Sequence, residues 1–237
     1  MSVNTKRLVV GAMQSNCYLV WDSQKNAIII DPGDDADYIM QNIRDLEIVP
    51  KALVATHGHF DHLMATLELK LAYNIPFYIH KKDDFLLERM DKTAMHFLNF
   101  DPGPPPEVDV YLKNNSILKF PAYANRNNGE TSPPLSLKII HTPGHTPGSV
   151  CIHINSHSHP RDVKGSHLGS KGLVFCGDLI FVDGVGRTDF SYSNKKGLLK
   201  SIKKIMKLPK DTIIYPGHGE ELSLHKKSSL LEKLQLD

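Results

Sequence analysis

The chain has 237 residues, 41% apolar and 23% charged, a composition that suits one large folded domain or two small ones and excludes wholesale disorder. Lys and Arg total 28 against 26 Asp and Glu, a formal charge of +2, so the charge balance gives no reason to invoke a nucleic-acid or membrane partner. No apolar run approaches the ~18 residues of a membrane span.

In chain order, residues 7–10, 17–21 and 27–30 read as short strands, apolar or β-branched and separated by Gly, Asn and Asp-Ser turn signals. Asp31-Pro32-Gly33 closes the third. Residues 37–47 carry Ile39, Met40, Ile43 and Leu46 at helical spacing. A buried-type strand is expected at 52–55, a helix at 62–73 with Leu63, Leu67 and Leu71 on one face, a strand at 77–80 and a helix at 83–98. The second half gives strands at 135–140, 149–154, 173–176 and 212–215. Residues 194–208 form a helix with Leu198, Ile202, Ile205 and Met206 on one side. Its Lys195, Lys196, Lys200, Lys203, Lys204 and Lys207 read as a solvated face.

Residues 121–134 and 155–172 are rich in Ser, Asn, Gly, Pro and His, lack an apolar period and read as loop insertions in a single domain spanning 1–237. His157, His159 and His167 in the second are expected to be solvated. No repeat of fixed period is present, which excludes a solenoid or propeller. Cys17, Cys151 and Cys176 form no CxxC pair and are odd in number, as expected of a reducing, cytoplasmic setting. No basic-then-apolar leader precedes Leu8-Val9-Val10.

The chemistry concentrates in Thr56-His57-Gly58-His59-Phe60-Asp61-His62, which leaves the 52–55 strand. His57 and His59, two apart on extended chain, point the same way, and Asp61 and His62 follow where the chain turns into a helix. A polar helix cap with satisfied histidines is the plain alternative. Three imidazoles and a carboxylate so close together instead suit a borderline divalent metal. Downstream, His141-Thr142-Pro143-Gly144-His145-Thr146-Pro147-Gly148, Cys176-Gly177-Asp178 and Tyr215-Pro216-Gly217-His218-Gly219 all sit where strands end, the usual place for function in α/β folds.

In that order these motifs resemble the metallo-β-lactamase superfamily. Asn16-Cys17-Tyr18-Leu19, Ile30-Asp31-Pro32-Gly33 and Gly186-Arg187-Thr188-Asp189-Phe190 narrow the resemblance to its glyoxalase II-like group, in the short, single-domain hydroxyacylglutathione hydrolase form. The resemblance implies an α/β fold, a four-layer αβ/βα sandwich, and two divalent metal ions, zinc first, with iron or manganese as substitutes. It assigns one ion to His57, His59 and His145, the other to Asp61, His62 and His218, and the bridge to Asp178. Asp61 and Asp178 would hold the hydroxide that two such ions generate at neutral pH. Asp31 would stand behind a ligand histidine, and His141 would hold no metal.

The implied reaction is hydrolysis of a thioester, S-D-lactoylglutathione or a related hydroxyacylglutathione. A thiolate leaves without a strong general acid, and the sequence offers no obvious one. Only 19 positions follow His218, too few for the helical extension with which full-length relatives hold glutathione, and 220–236 reads as one closing helix. Arg187 is the remaining candidate for a substrate carboxylate, unless Asp189 occupies it. The alternatives are a persulfide dioxygenase with one iron on His59, His145 and Asp178, a lactonase on the same scaffold, and a metal-binding member without turnover.

Overall fold

The computed structural model describes residues 3–120, 134–155 and 172–224. Strands β1 (Val3–Val10), β2 (Ser15–Asp22) and β3 (Asn26–Ile30) send successive side chains to opposite faces. Cys17, Leu19, Ala27 and Ile29 face one apolar cluster, and Tyr18, Val20, Ile28 and Ile30 face another. Both faces are buried, so these strands read as continuous apolar runs.

The first sheet runs β1-β2-β3-β4-β5-β6 and adds β4 (Val49–Val54), β5 (Phe77–His80) and β6 (Val110–Leu112). It is antiparallel from β1 to β3 and parallel from β3 to β6. Helices α1 (Ala36–Asp45), α2 (Thr66–Tyr73), α3 (Asp84–Leu87) and α4 (Met90–Leu98) cover its outer face through Ile39, Ile43, Leu69, Leu87 and Ala94.

The second sheet has the order β12-β11-β10-β9-β8-β7. Its strands are β7 (Ile117–Phe120), β8 (Leu135–His141), β9 (Val150–Asn155), β10 (Gly172–Gly177), β11 (Ile213–Pro216) and β12 (Leu222–Ser223). Only β10 and β11 are parallel. Leu173 and Phe175 of β10 point between the sheets, whereas Val174 and Cys176 point to α5 (Lys195–Ile205). Helix, sheet, sheet and helix thus stack as the four-layer αβ/βα sandwich. In α5 Leu198, Ile202 and Ile205 are buried and all six lysines of 195–207 are exposed.

The structure corrects three elements. The helix expected at 62–73 begins only at Thr66, after a single 3₁₀ turn, Phe60–His62. The Ala65 amide bonds the Pro32 carbonyl, outside any helix, and the Met64 amide is shared between the carbonyls of Gly33 and Phe60 (all 3.1 Å). Leu69 is buried in place of Leu71, which is 73% exposed. The helix expected at 83–98 is two pieces, because the Arg89 amide takes the tight bond to Leu86 and its φ reaches −111°. In the helix expected at 220–236, Leu222 and Ser223 form β12 instead, paired with Ile214 and Ile213, and residues from 225 lie outside the described part. The loop insertions and His157, His159 and His167 also lie there, apart from Pro134, Asn155 and Gly172. The three cysteines are buried thiols. Among the described residues no helix is long and apolar enough to cross a membrane.

Candidate metal centre

Each ligand segment follows the end of a strand. His57 and His59 follow β4, His145 lies between β8 and β9, Asp178 follows β10 and His218 follows β11. Their side chains converge as two nests. His57 Nε2 lies 3.1 Å from His59 Nδ1, which lies 2.9 Å from His145 Nε2. Asp178 Oδ2 closes this first nest at 3.5 Å from His145 Nε2. In the second, Asp61 Oδ2 is 3.2 Å from His218 Nε2 and 3.5 Å from His62 Nε2. The other oxygen of Asp178, Oδ1, faces this nest, 3.6 Å from His62 Nε2 and 3.9 Å from His218 Nε2.

The outer nitrogens explain why the inner ones face inward. His62 Nδ1–H donates to Asp31 Oδ2 (3.2 Å). His145 Nδ1–H donates to the Arg187 carbonyl (2.9 Å), and His218 Nδ1–H to that of Gln14 (3.2 Å). His57 Nδ1–H meets the Thr56 hydroxyl at 3.1 Å, whose own hydrogen goes to Asp31 at 2.6 Å. His59 Nε2–H meets the Tyr192 hydroxyl at 2.9 Å. These partners assign the tautomers, and every ring then aims a bare nitrogen inward. His62 Nε2 and Asp178 Oδ1 are buried with no hydrogen-bond partner. Bare lone pairs facing one another want a cation, and five imidazoles with two carboxylates are a donor set for a divalent metal.

Electrostatics point the same way. Burial, with His62 and His59 beside it, holds His57 well below its ordinary value, and burial with His145 pushes His59 down to about 3. Burial opposes protonation of His62 too, but Asp61, Asp31 and Asp178 overcome it and raise that ring to about 10. Without a cation the carboxylates therefore draw a proton onto His62 Nε2, the positive charge that a metal would supply when that nitrogen is bare.

The backbone makes room for this approach. A Cβ at Gly217 would stand 2.2 Å from Asp178 Oδ1 and 2.8 Å from His62 Cε1. The Asn16 amide bonds the Gly217 carbonyl (2.7 Å), and Tyr18 Oη donates to that of Pro216 (2.6 Å), fixing the loop that carries His218.

His141 stands apart from both nests. Its Nε2 meets the Pro147 carbonyl at 2.9 Å, and its ring stacks on His80 at 4.4 Å. Arg187 lines the pocket above the metal nests, its guanidinium bonded twice to Asp189 (2.7 and 2.6 Å).

Sequence reasoning passed over Asp83, which is fully buried. Its Oδ2 accepts from the Gly58 amide (2.9 Å) and the Thr146 hydroxyl (2.6 Å), and its Oδ1 from the Gly148 amide (2.6 Å). One carboxylate thus ties the loop of His57 and His59 to that of His145. A Cβ at Gly148 would lie 2.6 Å from the Asp83 carboxyl carbon. In sequence, Asp83 beside Asp84 looks like an ordinary helix start. Tyr192 was also passed over, because one tyrosine in a loop carries no signal of its own.

Candidate metal ligands gathered at strand ends, in a sandwich of this topology, suit a metal-dependent hydrolase. The family profile of the metallo-β-lactamase superfamily matches residues 10–159 and 154–218, and the chain belongs to that superfamily. It is 35% identical over 225 residues to the hydroxyacylglutathione hydrolase GloC of Haemophilus influenzae, with 92% of this chain and 91% of that one covered. The structure is similar to that of BLEG-1 B3 metallo-β-lactamase, with TM-score 0.77, 28% identity and coverage of 95% and 96%. It is also similar to TTHA1623 in a di-iron-bound form, with TM-score 0.73, 30% identity and coverage of 94% and 96%.

Proposed function

We propose that the chain is a binuclear metallohydrolase that cleaves hydroxyacylglutathione thioesters, S-D-lactoylglutathione first among them. One observation carries the reading: the two oxygens of Asp178 face two separate nests, 3.5 Å from His145 on one side and 3.6 Å from His62 on the other. The similarity to GloC supports the choice of substrate. We further propose a cytoplasmic setting, with which three buried thiols agree.

His57, His59, His145 and Asp178 would hold one divalent cation, and Asp61, His62, His218 and Asp178 the other. When bound, such cations lower the pKa of water to ~7 and polarise a carbonyl; zinc, iron and manganese all suit the donor set, zinc first. Asp178 sets the spacing of the nests. Asp61, 10% exposed at its side chain, stays ionised because His62 and His218 outweigh its burial, and would hold and orient the attacking water rather than take its proton. Asp31, Tyr192 and the carbonyls of Gln14 and Arg187 hold the rings so that nothing reorganises during the reaction. Phe190 and Tyr192 wall the pocket against bulk water. Arg187, on its rim, would meet a substrate carboxylate by exchanging it for Asp189.

The test is hydrolysis of S-D-lactoylglutathione by metal-replete protein under air and without oxygen. Equal release of free thiol in both supports the reading. Oxygen uptake with glutathione persulfide and no thioester cleavage would replace it with the one-iron dioxygenase.

A further inference from the structure

The space above the metal nests has a volume of about 230 Å³, below the ~300–1,000 Å³ that encloses a whole small-molecule ligand. It takes one end of a thioester. His59, Asp61, His145, Asp178 and His218 line it, so the scissile carbonyl must reach that side. A tripeptide thiol is too large and too charged to be the part enclosed. The acyl group is the part that enters.

The walls describe that group. Two stacked aromatic pairs line the pocket, Phe60 with Phe97 (centroids 5.9 Å apart, planes at 9°) and Phe190 with Tyr192 (5.2 Å, 12°). Met13 adds a flexible thioether. Among the described residues the lining holds one Arg or Lys, Arg187. Its charge is matched by Asp189, and it lies 4.4 Å over the Phe190 ring. Away from the metal nests, where Asp61 and Asp178 lie, the pocket therefore offers apolar surface rather than unmatched charge. Phe97 is 54% and Met13 41% exposed. The fold leaves this apolar surface in water beside the reacting centre, where a substrate would cover it.

We infer that the pocket selects thioesters by an apolar acyl chain, longer than the methyl group of lactate, lying against Phe97, Phe60 and Met13. The inference rests on the thioester-hydrolase reading and reorders its substrates, placing longer 2-hydroxyacyl chains ahead of the lactoyl group. Each methylene moved from water onto this wall strengthens binding, so preference grows with chain length until the volume is filled.

The experiment compares S-lactoylglutathione with S-(2-hydroxyhexanoyl)glutathione, which share the thiol and the 2-hydroxyl and differ only in the tail. The longer ester is expected to show kcat/KM at least ~10-fold higher, somewhat less than full burial of the added methylenes would give. Phe97→Ala is expected to lower kcat/KM for the hexanoyl ester ~5-fold more than for the lactoyl ester, and Phe97→Leu to restore most of that difference. Cleavage of the lactoyl ester with no gain for the longer tail overturns the inference and leaves the thioester reading standing. A gain that Phe97→Ala does not reduce overturns the assignment to this wall. Cleavage of neither ester overturns the thioester reading itself, and the inference with it.

Discussion

Replacing Asp83 with Asn tests whether one buried carboxylate holds the two ligand loops in register. The substitution keeps the volume and removes the charge. The Asn carbonyl can still accept from Gly58 and Thr146, which lie 2.9 and 2.6 Å from one oxygen of Asp83. The Asn NH₂ then faces the Gly148 amide, now 2.6 Å from the other oxygen, and two donors oppose each other. An unsatisfied buried amide costs about 1–3 kcal/mol. Against this, burial already raises the Asp83 carboxyl to about 6, despite the donors around it. Keeping it ionised at neutral pH costs about 3 kcal/mol relative to an ordinary Asp, which Asn avoids. The two effects nearly cancel, so Asp83→Asn should change Tm by less than ~5 °C. The loop bearing His145 nonetheless loses a tie. We expect kcat/KM to fall at least ~10-fold, with weaker metal retention against a chelator, as for other changes behind metal ligands. Thermal melts, metal content and kinetics on one preparation decide it. A variant with wild-type kinetics and metal retention would refute the reasoning, and so would activity lost only in proportion to unfolded protein.

The same residue gives a pH signature. Its folded value lies above its unfolded one, so its contribution to stability is full below pH ~4 and is lost as pH rises through about 6. In metal-stripped protein that fall should be present, and in Asp83→Asn absent, by urea denaturation across the range. Asp178→Asn should lower kcat/KM at least ~100-fold, about 2.7 kcal/mol, and weaken at least one metal, checked by kinetics and metal analysis. His141→Ala loses only its bond to the Pro147 carbonyl and its stacking on His80, so it should keep both ions and lose at most ~10-fold in kcat/KM. Chelation should abolish thioester cleavage and lower Tm by ~5–10 °C, the loss expected when a ligand at ~100 times its Kd is withdrawn.

The sequence revealed most about the fold where burial is complete. β2, β3 and β10 are buried on both faces, and an apolar run alone announces them. β6 and β7 were invisible because they sit at sheet edges, where Val110, Tyr111 and Ile117 are exposed and no alternation survives. β12 is two residues long and held mainly by β11. The turn from Phe60 to Ala65 looked helical because its apolar residues are all buried, whereas the amide of Ala65 goes to Pro32 and that of Met64 is shared with Gly33, a long-range choice no local period records.

The site divides along a similar line. Side chains of rare chemistry at strand ends, such as His57, His59 and Asp178, draw attention by type and order. What orients them often does not. His145 and His218 are held by the carbonyls of Arg187 and Gln14, and every residue has a carbonyl. The identity of residue 14 is therefore silent about its role, while its backbone is not: Gln14 has φ of 53°, in the left-handed region, and the turn beginning at Gly11 sets where its carbonyl points. Asp31 is the exception, since its side chain itself reaches Thr56 and His62, and the family resemblance already implied a carboxylate there behind a ligand histidine. Asp83 is the converse case, a side chain whose targets are two backbone amides and a hydroxyl in segments 25 to 65 residues away. A centre of this kind is half written in ligands and half in backbone geometry, and only the first half has an alphabet.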